Sequence, residues 1–159
     1  MNDNRMRPHL PGGFSVIKII AVGKMKDKRL SQLAEDFLKR LRPMAPVKVL
    51  ELKDSKPEKE GRDMVAQLGA TGGHTLVIAM DEKGDDLTSE GFAKVLSKHG
   101  SVTFLIGGAD GLGSEARQRA DRTLQLSSMT WTHEMARVLL IEQVYRGFSI
   151  IKGRPYHRG

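Results

Sequence analysis

The chain has 159 residues, 39% of them hydrophobic and 28% charged, with no cysteine. That length and balance suit one globular domain around one core, and the missing cysteine excludes disulfides, thiolate metal sites and a cysteine nucleophile. The formal net charge is +7, from 26 Lys and Arg against 19 Asp and Glu. Such a surface attracts polyanions, nucleic acid first among them, although solubility alone accounts for the same sum.

Met1 to Gly13 is polar and broken by Pro8, Pro11, Gly12 and Gly13. It lacks the apolar stretch of a secretory leader, so residues 1–14 are expected to be a loose extension and 15–159 a single domain. No segment approaches the roughly 20 apolar residues needed to span a bilayer. The β-branched run Val16 to Val22 predicts a buried strand, ended by Gly23. From Asp27 to Leu41 the residues Leu30, Leu33, Ala34, Phe37, Leu38 and Leu41 recur at helical spacing opposite a Lys- and Arg-rich face, and Pro43 stops the helix. Val47 to Leu52 predicts a second strand. The charged stretch Asp54 to Arg62 opens a helix or mobile loop running to about Leu68, and Thr71 to Gly73 forms a turn.

His74 to Met80 predicts a third strand, followed by a polar, solvated loop from Asp81 to Asp86. Thr88 or Ser89 caps a helix through Phe92, Val95 and Leu96. Ser101 to Ile106 predicts a fourth strand, Ser114 to Ala120 a short helix, Thr123 to Leu126 a fifth strand, and His133 to about Ile151 a long helix. Strands alternating with helices define an α/β fold with a mainly parallel sheet and helices on both faces. Ligands of such sheets sit beyond the carboxyl ends of the strands.

Two loops lie there. Gly107 to Gly113 holds four glycines, which admit close backbone approach to a ligand. Gly108 and Gly113 have phosphate-loop spacing, but Ser114-Glu115 stands where Lys-Ser/Thr is needed. A tight strand-to-helix turn explains the glycines equally well. Leu126 to Thr132 pairs hydroxyls with Met129 and the only tryptophan, Trp131. Such a mixture suits an adenine and ribose, while Thr132 also fits as the cap of the next helix. That helix is apolar around more than one face, which suits either a partner subunit or a central core position. Glu142 and Arg146, four residues apart, read as a surface ion pair. The end of the chain, Arg154-Pro155-Tyr156-His157-Arg158, combines groups that stack on bases, bind phosphate and move protons. No His, Asp and Glu spacing marks a metal site.

Leu105 to Leu112, Leu126 to Thr130, Arg137 to Arg146 and Pro155 to Arg158, together with the opening Lys18 to Lys24, resemble the SPOUT-class ribosomal large-subunit pseudouridine N3-methyltransferases. The resemblance runs from Val16 to the end. It implies a C-terminal deep trefoil knot, which the usual connection rules would not suggest, and a cytoplasmic homodimer with the last helix in its interface. It implies S-adenosylmethionine as cofactor, held by Met80, Gly107, Gly108, Leu126, Ser127, Ser128, Met129, Thr130, Trp131 and Thr132. It implies a pseudouridine of 23S rRNA on the assembled ribosome as substrate, with neither DNA nor membrane as partner. His157, Tyr156 and Arg158 are the expected catalytic residues, and Arg154, Arg137 and Arg146 the expected RNA contacts. Ala109-Asp110 departs from the family's usual Pro-Glu. Two rival classes are a noncatalytic ribosome-binding factor and a nucleotide hydrolase built on the glycine loop.

Overall fold

A computed structural model describes residues 16–69 and 75–159. The expected extension at 1–14, the turn at Thr71 to Gly73 and the strand start at His74 lie outside the described residues.

Five strands form one parallel sheet: β1 (Val16–Val22), β2 (Val47–Leu52), β3 (Thr75–Asp86), β4 (Ser101–Ile106) and β5 (Arg122–Gln125), in spatial order β2-β1-β4-β3-β5. Five helices alternate with them: α1 (Lys28–Leu41), α2 (Pro57–Leu68), α3 (Ser89–Lys98), α4 (Ser114–Arg119) and α5 (His133–Ile151). The inner strands are apolar at successive positions because both sheet faces are covered. Ile17, Ile19 and Ala21 of β1, with Phe104 and Ile106 of β4, point to a core shared with α1, α3 and α5. The alternate residues Ile20, Val22, Val77, Ala79 and Leu105 point to a second core under α2 and α4. Period-two alternation of side chains thus feeds two apolar layers.

Caps set the helix starts. Asp27 accepts from the Arg29 and Leu30 N–H groups at α1, Thr88 from Gly91 at α3, and Thr132 from Met135 at α5. Helix α5 packs on both α1 and α3, so it is a central core helix within the chain.

The expected loop at Asp81 to Asp86 is a continuation of β3. After Met80 pairs with Leu124 the register breaks, and Asp85 and Asp86 then pair with Leu124 and Gln125. Gly84 makes this possible, because a Cβ there would stand 2.5 Å from the Leu124 backbone nitrogen. The polar composition that suggested a solvated turn belongs to a bulged edge.

Candidate active site

The carboxyl ends of β4 and β5 and the middle of β3, at Met80 to Glu82, open onto a cavity of about 370 Å³. Its floor holds Met80, Ile106 and Leu124. One wall is the glycine loop from Gly107 to Leu112, and the other comprises Leu126, Ser127, Met129, Thr130 and Trp131, with His133 and Ala136 of α5.

The glycine loop closes as a turn in which the Gly111 N–H donates to the Gly108 carbonyl at 3.0 Å. Gly111 has φ +83°, the left-handed region that glycine occupies without strain. A Cβ on Gly107 would lie 2.6 Å from the Gly111 carbonyl carbon and 2.8 Å from the Leu112 nitrogen. One on Gly113 would lie 2.1 Å from the Pro57 carbonyl oxygen. The glycines therefore serve the turn and its docking on α2 as well as the cavity, so both readings of the loop hold. Ala109 and Asp110 fill the two middle positions of the turn, where the backbone closure does not depend on their side chains.

Glu60 of α2 lies behind this loop and is only 3% exposed. Its carboxylate accepts from the Ser55 N–H at 2.8 Å. Burial, the largest influence, pushes its pKa up; the Ser55 N–H opposes this, and Asp54 and Asp110 add to the rise.

The opposite wall is organised by Ser127. Its hydroxyl receives the Met129 N–H and the Trp131 Nε1–H, both at 3.0 Å. Thr130 donates to Glu82 at 2.7 Å, fastening the loop to β3. Met129 is 71% and Trp131 42% exposed, leaving apolar surface at the lip. Beneath them Arg117 pairs with Asp81 at 2.9 Å and donates to the Leu112 carbonyl.

Eight of the ten residues expected to hold the cofactor line this cavity. Two do not. Thr132 turns its hydroxyl to the Met135 N–H as the α5 cap, and Ser128 is outside the lining. Asp81, Glu82, Arg117, His133 and Ala136 line it without having been anticipated. Of these, Arg117 and Ala136 carried no sequence signal, because their place depends on α4 and α5 docking beside distant strands.

The terminal segment is docked on its own chain. The Arg154 N–H donates to the Ser149 carbonyl at 2.8 Å. The Tyr156 hydroxyl donates to Glu142 at 2.9 Å, its ring meets Tyr145 edge-on at 4.6 Å, and the Arg146 guanidinium lies 4.8 Å from its centroid. Burial, then the Glu142 carboxylate, raises the Tyr156 pKa. Arg146 donates to Glu142 at 2.6 Å and 3.1 Å, and sits 3.1 Å from His157 Nδ1. His157 Nε2 meets Glu90 at 2.8 Å. The expected Glu142–Arg146 surface pair is therefore the half-buried hub of a network that holds the tail.

None of Arg154, Tyr156, His157 or Arg158 lines the 370 Å³ cavity of its own chain. Arg154 and Arg158 are exposed. Of the other two expected RNA contacts, Arg137 is overturned. Arg137 is 3% exposed and binds Glu51 at 2.5 Å and the Gly23 carbonyl at 2.8 Å, so it faces the protein interior. Arg146 directs three of its N–H groups to Glu142 and His157 and remains partly exposed.

A parallel α/β sheet with its cavity beyond the strand ends, walled by a glycine loop and a hydroxyl-rich loop, is the site of an enzyme that takes a small organic ligand. The comparisons narrow the class. A family described as predicted SPOUT methyltransferase matches residues 16–157. The chain is 43% identical over 157 residues to a Chromobacterium violaceum protein named ribosomal RNA large subunit methyltransferase H, covering 89% of this chain and 98% of the relative. A protein of the same name from Syntrophotalea carbinolica is 41% identical over 155 residues, covering 89% and 97%. In three dimensions the chain is similar to the SpoU methyltransferase AviRb from Streptomyces viridochromogenes, solved with AdoMet. The TM-score is 0.50 and the identity 15%, covering 96% of this chain and 63% of that longer one. This chain belongs to the SPOUT methyltransferase family.

Proposed function

We propose that the chain transfers a methyl group from S-adenosylmethionine to N3 of a pseudouridine in 23S rRNA, on the assembled ribosome and as a homodimer. The observation that carries the reading is the cavity itself. Three motifs far apart in sequence, at Met80, Gly107–Leu112 and Leu126–Trp131, meet around one space of about 370 Å³, within the range of small-ligand sites. Curated relatives of matching length bear an rRNA methyltransferase name.

The residues present suit this cofactor. Gly107, Gly108 and residues of the Leu126–Trp131 loop line the cavity, where their backbone groups would read an adenine edge, and Met80, Leu124 and Leu126 supply apolar surface. Asp81 and Glu82 also line the cavity, Asp81 neutralised by Arg117 and Glu82 holding Thr130. When bound, the cofactor supplies a methyl group already activated on a sulfonium. The protein's part is then to align the base nitrogen, exclude water and receive the imide proton. Alignment of this kind supplies about 7–11 kcal/mol of a barrier.

His157 is not the proton acceptor in this reading. Arginine only donates, so Arg146 fixes Nδ1 as acceptor, and Nε2 then carries the proton given to Glu90. Both ring positions are occupied, and the imide proton passes to water. Tyr156 stacks on the base and Arg154 and Arg158 hold phosphates. The tail's absence from the lining of its own chain's cavity supports its use on a second subunit's site. Exposed Met129, Trp131 and Ile151 leave apolar surface for that subunit. The cytoplasmic setting, the catalytic unit at 15–159 and the knot formed by its C-terminal part belong to the same reading.

Calorimetric titration of the purified protein with S-adenosylmethionine tests it. Saturable binding is expected, and Gly107→Ala suffices to weaken it because even one Cβ collides with the loop's own backbone. No binding at millimolar ligand, with or without ribosomes, would sink the reading.

A further inference from the structure

We propose that Glu60 is a positioning residue for the cofactor, acting through the back of the glycine loop; this rests on the cofactor reading above. The loop's cavity side faces the ligand, and its other side rests on the first turn of α2. A Cβ on Gly108 would stand 3.1 Å from Val22 Cγ1 and 3.6 Å from Glu60 Oε1, so no side chain separates the carboxylate from the Gly108 backbone. Gly61, next in α2, would bring its own Cβ within 3.5 Å of the Gly113 Cα and of the Ala116 nitrogen. Pro57 closes against Gly113. The start of α2 therefore grips the loop at Gly108 and at Gly113.

Glu60 is the polar member of that grip. Carboxylates are seldom buried without a role or a partner. The Oε1 atom that faces Gly108 also accepts the Ser55 N–H. One oxygen thus joins the β2–α2 connection to the underside of the cofactor wall. Gly108 itself lines the cavity, and its carbonyl closes the turn with Gly111. The carboxylate reaches the ligand only through that peptide.

Removing it should lower the fraction of time the loop spends in the binding-competent turn. Affinity falls in proportion to that fraction. If Glu60→Ala leaves the turn formed about a tenth of the time, S-adenosylmethionine affinity drops about tenfold. Glu60→Gln keeps an acceptor for Ser55 and nearly the same volume, and should stay within about threefold of the parent, under 1 kcal/mol.

The experiment is calorimetry with S-adenosylmethionine on the full chain and both variants, joined to amide hydrogen exchange. The expected result is the weakened alanine variant, the rescued glutamine variant, and faster exchange in Glu60→Ala confined to 107–112 while β1 and β4 stay protected. A Glu60→Ala protein that binds as tightly as the parent overturns the role of Glu60 and leaves the cofactor reading intact. Exchange rising equally throughout the sheet also overturns it, since Glu60 would then only support the fold. A parent protein that binds no S-adenosylmethionine removes the cofactor reading, and this inference with it.

Discussion

Arg137 shows how a single residue changes meaning once it is placed. In sequence it is one more cation in a basic protein. In the structure its guanidinium ties the start of α5 to the end of β1, through the carbonyls of Val22 and Gly23 and through Glu51. Its Nε has no partner among the described residues. Removing one side of a buried charged network typically costs about 3–5 kcal/mol. Arg137→Ala is expected to lower unfolding free energy toward the lower end of that range, since Glu51 is half-exposed, and urea denaturation checks it. Of the two roles the sequence offered Thr132, ligand contact and cap, the structure shows the cap. Thr132→Ala should cost about 1 kcal/mol of stability and leave S-adenosylmethionine affinity nearly unchanged. A large affinity loss at unchanged stability would return Thr132 to the binding site. The sequence could not choose between the two Thr132 roles, because a cap hydroxyl and a ligand hydroxyl look alike, and it hid the role of Arg137, whose partners lie 86 and 114 residues away.

At the scale of elements, local pattern carried far. The strands Val16–Val22, Val47–Leu52 and Ser101–Ile106 and the helix from His133 to Ile151 are where β-branched runs, helical spacing and caps place them. The extension of β3 past Met80 escaped notice because its residues are polar and its pairing partner, β5, comes some 40 residues later. The grip of α2 on the glycine loop escaped for the same reason, since a glutamate in a charged stretch gives no sign of burial. The α3–α5 contact is equally nonlocal. A Cβ on Gly147 would lie 2.7 Å from Leu96 Cδ1, so the two helices meet at nearly bare backbone. Gly147→Val should destabilise by about 1–3 kcal/mol through overpacking, readable as a lower thermal midpoint. The docked tail responds to acid. His157 holds the Glu90 carboxyl below its ordinary value. A depressed carboxylate contributes above its unfolded pKa and loses that contribution as pH falls through the folded one. The tail should therefore stay docked at neutral pH and loosen in the acid range below the ordinary glutamate value. The ring signals of His157 in nuclear magnetic resonance report this, and a tail unchanged down to full protonation of Glu90 would deny the pair a docking role.

For the whole molecule, the sheet gathers Met80, the glycine loop and Leu126–Trp131 around one cavity, and the basic tail docks on α5 without lining it. The α/β class and the two loops that wall the cavity were legible because glycine and hydroxyl clusters follow strands, whereas Met80 came only with the resemblance. The tail's position relative to the cavity was not, because it depends on how α3 and α5 pack. With a net charge of +7, RNA binding should weaken steeply as salt rises, and Arg154→Ala should flatten that dependence by about one phosphate contact. The most direct measurement incubates the purified protein with assembled ribosomes and S-adenosylmethionine labelled in its methyl group, then identifies the labelled nucleoside of the large-subunit rRNA by mass spectrometry. The account predicts label on N3 of a pseudouridine, at one site, and much less with Gly107→Ala. Label on another atom or base, or none from a protein that binds the cofactor, would contradict it.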